Sequence, residues 1–168
     1  MNNRTRTVMT TILLSTLFLF GAISYASGEE YPAMKGVKSV KAVYDIRIGN
    51  PKSAALHLKL IHQTIKDQAI AAATKEPAFV VVYSGPAVKL ISKNREGFAP
   101  EDQKILDEIA ATVSEMSKDG ILQEMCLTAA KIMGVDPASV LPEIKHVGNG
   151  WISLIGYQEH GYALIPAY

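Results

Sequence analysis

Apolar residues along this chain switch repeatedly between a period of two and a period near three and a half. Residues 40–48 (VKAVYDIRI) alternate, with Val40, Ala42, Tyr44, Ile46 and Ile48 on one side and Lys41, Val43, Asp45 and Arg47 on the other, which predicts a strand whose second face is only partly buried. Gly49-Asn50-Pro51 reads as a turn, with Asn50 as helix N-cap and Pro51 at the first helical position. From 51 to about 74, Ala54, Leu58, Ile61, Ile65 and Ala69 recur at helical spacing while Lys59, His62, Lys66 and Asp67 fall elsewhere, predicting one amphipathic helix that covers a sheet. Residues 78–83 (AFVVVY) form a continuous apolar, β-branched run, as a central strand buried on both faces requires. Ser84-Gly85-Pro86 then turns the chain into a short helix at 86–93.

After a loop at 93–100, residues 101–118 carry Ile105, Ile109, Val113 and Met116 on one stripe, with Gly120 as the stop, predicting a third helix. A weaker strand at 121–125 leads into a short helix at 127–133 ended by Gly134. The pattern closes with a brief strand at 144–147, a helix at 150–159 containing Trp151, Leu154 and Ile155, and a terminal strand at 162–165. Alternating strands and helices imply right-handed crossovers, so the predicted fold is an α/β three-layer sandwich with a mainly parallel five-stranded sheet. Ligands on such sheets gather at the carboxyl ends of the strands. The loops to watch are therefore those holding Gly49 and Asn50, Ser84 and Gly85, Cys126, and Gly148, Asn149 and Gly150.

The first residues follow a different logic. Arg4 and Arg6, an apolar run at 8–23 and the small-x-small exit Ser24-Tyr25-Ala26 match a secretory signal peptide cut after Ala26, rather than a retained membrane anchor. The expected organisation is a signal at 1–26, a flexible polar lead-in at 27–39 and one α/β domain at 40–168, in the periplasm or secreted, without stable membrane association after cleavage. Loss of Arg4 and Arg6 would take Lys plus Arg from 17 to 15 against 16 Asp plus Glu, so the mature net charge is about −1. With no basic cluster, nucleic acid is not an expected partner.

Cys126 is the single cysteine, so no internal disulfide is possible. At a strand-to-helix junction, the unpaired N–H groups of the following helix favour a thiolate, and Cys126 is either a nucleophile or a small buried hydrophobe. Glu124, two residues earlier, would oppose that charge. His146, at the end of a strand near the Gly148 loop, is a candidate acid or base for the thiol. His57 and His62 stand five apart, on different faces of one helix, so they do not form an i, i+4 metal pair, and no metal site is expected. His160, before Gly161, fits a helix end. No Walker loop, complete dinucleotide loop, CxxC pair or GxSxG elbow is present, and no cofactor is expected. Trp151 and the tyrosines read as core and interface material, with Tyr162 and Tyr168 able to help an oligomer contact.

Four segments carry a resemblance over about 40–166: VKAVYDIRIGNPKSAALHLKLIHQTIKD, FVVVYSGPAVKLI, LQEMCLTAAKIMGV and VGNGWISLIGYQEHGYALIP. In this order the chain resembles the DsrE/DsrF-like family, which includes TusD-like sulfur-relay proteins. The resemblance implies a flavodoxin-like sheet, assembly into trimers or hexamers, and a role in sulfur oxidation or transfer. It also implies that Cys126, in CLTAAKIMG, accepts sulfane sulfur from a donor protein as a persulfide and yields it to an acceptor. The family's relay proteins are cytoplasmic, whereas this chain begins with a signal-like segment. Two readings follow: an exported sulfur carrier, and a non-catalytic binding or assembly module whose cysteine is structural.

Overall fold

The computed structural model describes residues 31–168. The signal-like segment lies outside the described residues, as does the start of the lead-in. The rest of the lead-in is exposed and holds one 3-10 turn, Pro32–Met34. Five strands follow: β1 (Lys41–Ile46), β2 (Ala78–Tyr83), β3 (Leu122–Cys126), β4 (Lys145–Val147) and β5 (Ala163–Ala167). Every pairing is parallel and the spatial order is β4-β3-β2-β1-β5. The helices are α1 (Pro51–Ile65), α2 (Gln68–Ala73), α3 (Ala87–Leu90), α4 (Gln103–Lys118), α5 (Leu127–Met133) and α6 (Gly150–Glu159).

Two departures from the sequence pattern have physical causes, one local and one topological. The helix expected over 51–74 is two helices, because the Asp67 carboxylate accepts a hydrogen bond from the Ala69 N–H at 2.8 Å and caps a new start. The second face of β1 is not half-solvated: Val43 and Asp45 are both buried, and only Lys41 is exposed within the strand. The reason is the strand order. Three connections step from β1 to β4 in one direction, and the last returns past β1 to the far edge. Right-handed connections of opposite direction cover opposite faces, so α6 lies over the face that the alternating pattern leaves half-polar.

The main core lies on the other face. Ala54, Leu58 and Ile61 of α1, Val88 of α3, and Leu106, Ile109, Val113 and Met116 of α4 bury against Ala42, Tyr44, Ile46, Phe79, Val81, Tyr83 and Met125 of the strands. Gln123 is buried there as well, and is satisfied: it accepts from Tyr83 Oη at 2.9 Å and donates to the Val113 carbonyl at 2.8 Å. On the α6 face the buried cluster is small, consisting of Val43, Val80, Val82 and Leu154 with Leu122, Tyr157 and Tyr162 at its edge. Trp151 and Ile155, which helical spacing offered to the core, are exposed, Trp151 at 62%.

Candidate functional site

The neighbouring strands β3 and β4 send their chains to opposite faces, β3 through Cys126 into α5 and β4 through Gly148 and Asn149 into α6. A crevice opens at such a switch point in a parallel sheet. The two exits are tied together by Thr128, whose backbone N–H and hydroxyl both donate to the Gly148 carbonyl, at 3.1 and 2.9 Å. Asn149 caps α6, its Oδ1 accepting from the Trp151 N–H at 3.0 Å. Gly150 opens the helix directly against the cysteine. A Cβ at this glycine would lie 3.1 Å from the Cys126 Cβ and 3.3 Å from Val82 Cγ1, so the absence of a side chain permits the approach.

Here lies a cavity of about 240 Å³ lined by Arg47, Ser84, Gly85, Cys126, Thr128, Ala129, Ile132, Met133, Asn149 and Trp151. Cys126 is only 5% exposed yet lines this space, so the sulfur sits at the floor of a crevice rather than on an open surface. Its Sγ accepts a hydrogen bond from the Ala129 N–H at 3.3 Å. Arg47 also lines the cavity. Its Nη2 donates to Asp45 Oδ2 at 2.8 Å, and Asp45 Oδ1 accepts from Ser84 Oγ at 3.0 Å. That bond to the buried Asp45 carboxylate holds the guanidinium above its ordinary pKa. The cation also lies over the rings of Trp151 (5.9 Å) and Tyr168 (5.4 Å).

Of the loop residues picked out by the sequence, Ser84, Gly85 and Asn149 line the cavity with Cys126, while Gly148 and Gly150 shape it from behind. Asn50 serves as the cap of α1, accepting from the Ser53 N–H at 3.0 Å, and does not line the cavity of Cys126. His146 is not part of the site. In the β3–β4 register it stands beside Met125, and Val147 stands beside Cys126, so strand alternation directs the histidine to the other face, where it is exposed. Glu124 points away from the thiol as well: its Oε1 accepts from Tyr157 Oη at 2.6 Å, and burial together with that carboxylate pushes the Tyr157 hydroxyl pKa up. His62 is buried against Asp119, 2.6 Å from Nε2, and His57 Nδ1 lies 2.8 Å from the Ser53 carbonyl oxygen. Among the described residues no cluster of His, Cys, Asp or Glu could hold a metal ion. No helix among them is long and apolar enough to cross a membrane.

Arg47, Thr128, Ala129, Ile132, Met133 and Trp151 are the wall residues that motif reading did not select. For Arg47 a signal was present in the alternating strand, where Asp45 and Arg47 share the face opposite the core.

The fold is that of an all-parallel five-stranded α/β protein with one cysteine at the crevice on its carboxyl edge. The model of the DsrE/DsrF-like family matches residues 41–167, and the chain belongs to that family. An uncharacterized protein of Aquifex aeolicus is 25% identical over 159 residues, a stretch that covers 92% of this chain and 65% of the length of that protein. Among solved structures, the Methanobacterium thermoautotrophicum protein of unknown function MTH1491 is similar at a TM-score of 0.59 and 17% identity, over 76% of this chain and 99% of its own. The ychN protein of E. coli is similar at a TM-score of 0.50 and 13% identity, over 76% of this chain and 98% of its own. These likenesses concern the fold.

Proposed function

We propose that the protein is an exported sulfur carrier in which Cys126 holds sulfane sulfur as a persulfide. The observation that carries this reading is the position of Cys126 Sγ on the wall of a cavity at the switch point of the sheet, with a backbone N–H donating to the sulfur. The thiolate attacks the outer sulfur of a donor, a new S–S bond forms, and the donor's own bond to that sulfur breaks with the electron pair leaving on the donor. An acceptor thiolate then attacks the outer sulfur of the persulfide, and the Cys126 thiolate is regenerated. No net oxidant is consumed. The location in the periplasm rests on the signal-like segment at 1–26.

Self-association into a trimer or hexamer belongs to the same reading. Trp151, Ile152 and Ile155 on α6 and Leu164 and Ile165 on the edge strand β5 are all exposed, an apolar surface that a second copy would cover. A second reading is favoured by the burial of Cys126, which packs with the main core: a binding or assembly module in which the cysteine is structural.

Incubation of the folded protein with polysulfide, followed by intact mass measurement, separates the two. The carrier reading expects the mass of added sulfur on the wild type and none on Cys126→Ser. An unchanged wild type, with alkylation of Cys126 only after unfolding, establishes the structural cysteine instead.

A further inference from the structure

We propose that the Cys126 cavity selects small sulfur oxyanions, with Arg47 binding the oxyanion end of the donor and thiosulfate as the type of molecule it fits. This rests on the carrier reading above and adds the donor class to it. Among the described residues, Arg47 and Cys126 are the only ionisable side chains lining the cavity. No carboxylate lines it, because Asp45 lies buried beneath the arginine, so the charge presented to a ligand is positive. The guanidinium is already held in place by Asp45 on one side and by the Trp151 and Tyr168 rings on the other. A planar fork fixed in this way loses little freedom on meeting an oxyanion.

Donor capacity is also left over. Arg47 Nε is buried without a hydrogen-bond partner, so the contacts of the guanidinium within the protein leave part of its donor capacity unused. Asn149, which lines the cavity, spends its Oδ1 on the helix cap and keeps its amide N–H groups without a partner in that cap. Size points the same way. At about 240 Å³ the space falls below the range of roughly 300 to 1,000 Å³ typical of pockets for drug-sized ligands, and suits a molecule of a few heavy atoms.

The step balances without a further reactant. The Cys126 thiolate attacks the outer sulfur of thiosulfate; the S–S bond of thiosulfate breaks and its electron pair leaves with the sulfonate sulfur as sulfite. Cys126 is left as a persulfide anion, and the total charge is unchanged. Arg47 holds the oxygens on which the leaving group's negative charge is concentrated.

The test loads the full chain with thiosulfate and, in parallel, with polysulfide, and reads both by intact mass. It also compares the alkylation rates of Cys126 by iodoacetate and by its neutral isostere iodoacetamide. Thiosulfate is expected to add one sulfur atom to the wild type, and Arg47→Gln is expected to slow this addition about tenfold or more. The same substitution lowers the iodoacetate-to-iodoacetamide rate ratio by a similar factor, whereas Lys89→Gln, in the separate cavity near Gly97, leaves the ratio at the wild-type value. Arg47→Gln strands a buried carboxylate, so the double variant Asp45→Asn with Arg47→Gln gives the same readings in a chain without that charge. Loading by polysulfide but not by thiosulfate, or a rate ratio indifferent to Arg47, overturns the donor class and leaves the carrier reading standing. Loading by neither donor overturns both.

Discussion

On one face of the sheet four helices seal a core that runs from Ala42 to Ala167, while the other face carries a single helix, α6, over the buried cluster of Val43, Val80, Val82 and Leu154. The first face holds its polar groups in closed pairs, as Tyr83, Gln123 and the Val113 carbonyl illustrate. The second tolerates buried charge: Asp45 with Arg47, and Glu124 with Tyr157, each leaving one polar atom unpaired. Stability is concentrated on the sealed face, and Cys126, which packs with that core, opens at the carboxyl edge into the crevice between α5 and the thinly covering α6. Chemistry requires an approach to the sulfur, and a sheet covered equally on both sides would close it.

The largest effect that can test this contrast is a pair of truncations. Ile109→Ala on α4 leaves a cavity in a fully buried core and is expected to cost about 4 kcal/mol by urea unfolding, whereas Leu154→Ala on α6 costs about 2 kcal/mol. Equal losses would break the contrast. Next comes the buried ion pair. Arg47→Gln should destabilise by about 2 kcal/mol, since Asp45 is buried while the arginine is partly exposed, and adding Asp45→Asn should recover most of that loss in a double-mutant cycle.

A smaller effect is expected at Gly150. Gly150→Ala pushes a methyl group against Cys126 Cβ and Val82 Cγ1, which must give way by a few tenths of an ångström. The expected cost is about 1 kcal/mol, with a faster alkylation of Cys126 as α6 is displaced from the thiol. The smallest effect belongs to the sealed face. Asp119 is held below the ordinary carboxylate range by hydrogen bonds from Lys66 and then His62, a link between α1 and the end of α4. A depressed carboxylate adds stability above its unfolded pKa and loses it as pH falls through its folded value. Asp119→Asn should therefore lower the wild-type melting temperature slightly at neutral pH and not at all in acid.

The same contrast explains what the sequence could say. All five strands were legible, because AFVVVY and the alternating first strand need no tertiary context to be read. The break at Asp67 was hidden because Ile65 and Ala69 keep helical spacing across it, while the competing cap is a local hydrogen bond that apolar periodicity does not register. Ser84, Gly85, Cys126 and Asn149, picked out from the carboxyl-edge loops, line one cavity. Arg47 became a wall of the site only through the strand order, which sets β5 beside β1 and brings Tyr168 to the guanidinium. His146 was suggested by nearness along the chain, and the parallel register, which no local pattern encodes, turned it to the opposite face.

The central claim is that the thiol at the carboxyl-edge crevice carries sulfur. Intact mass measurement of the native protein after exposure to thiosulfate or polysulfide tests it most directly. The account predicts added sulfur on the wild type, removable by a reducing thiol and missing from Cys126→Ser. A wild type that keeps its mass with both donors, and whose Cys126 is alkylated only on unfolding, would contradict it.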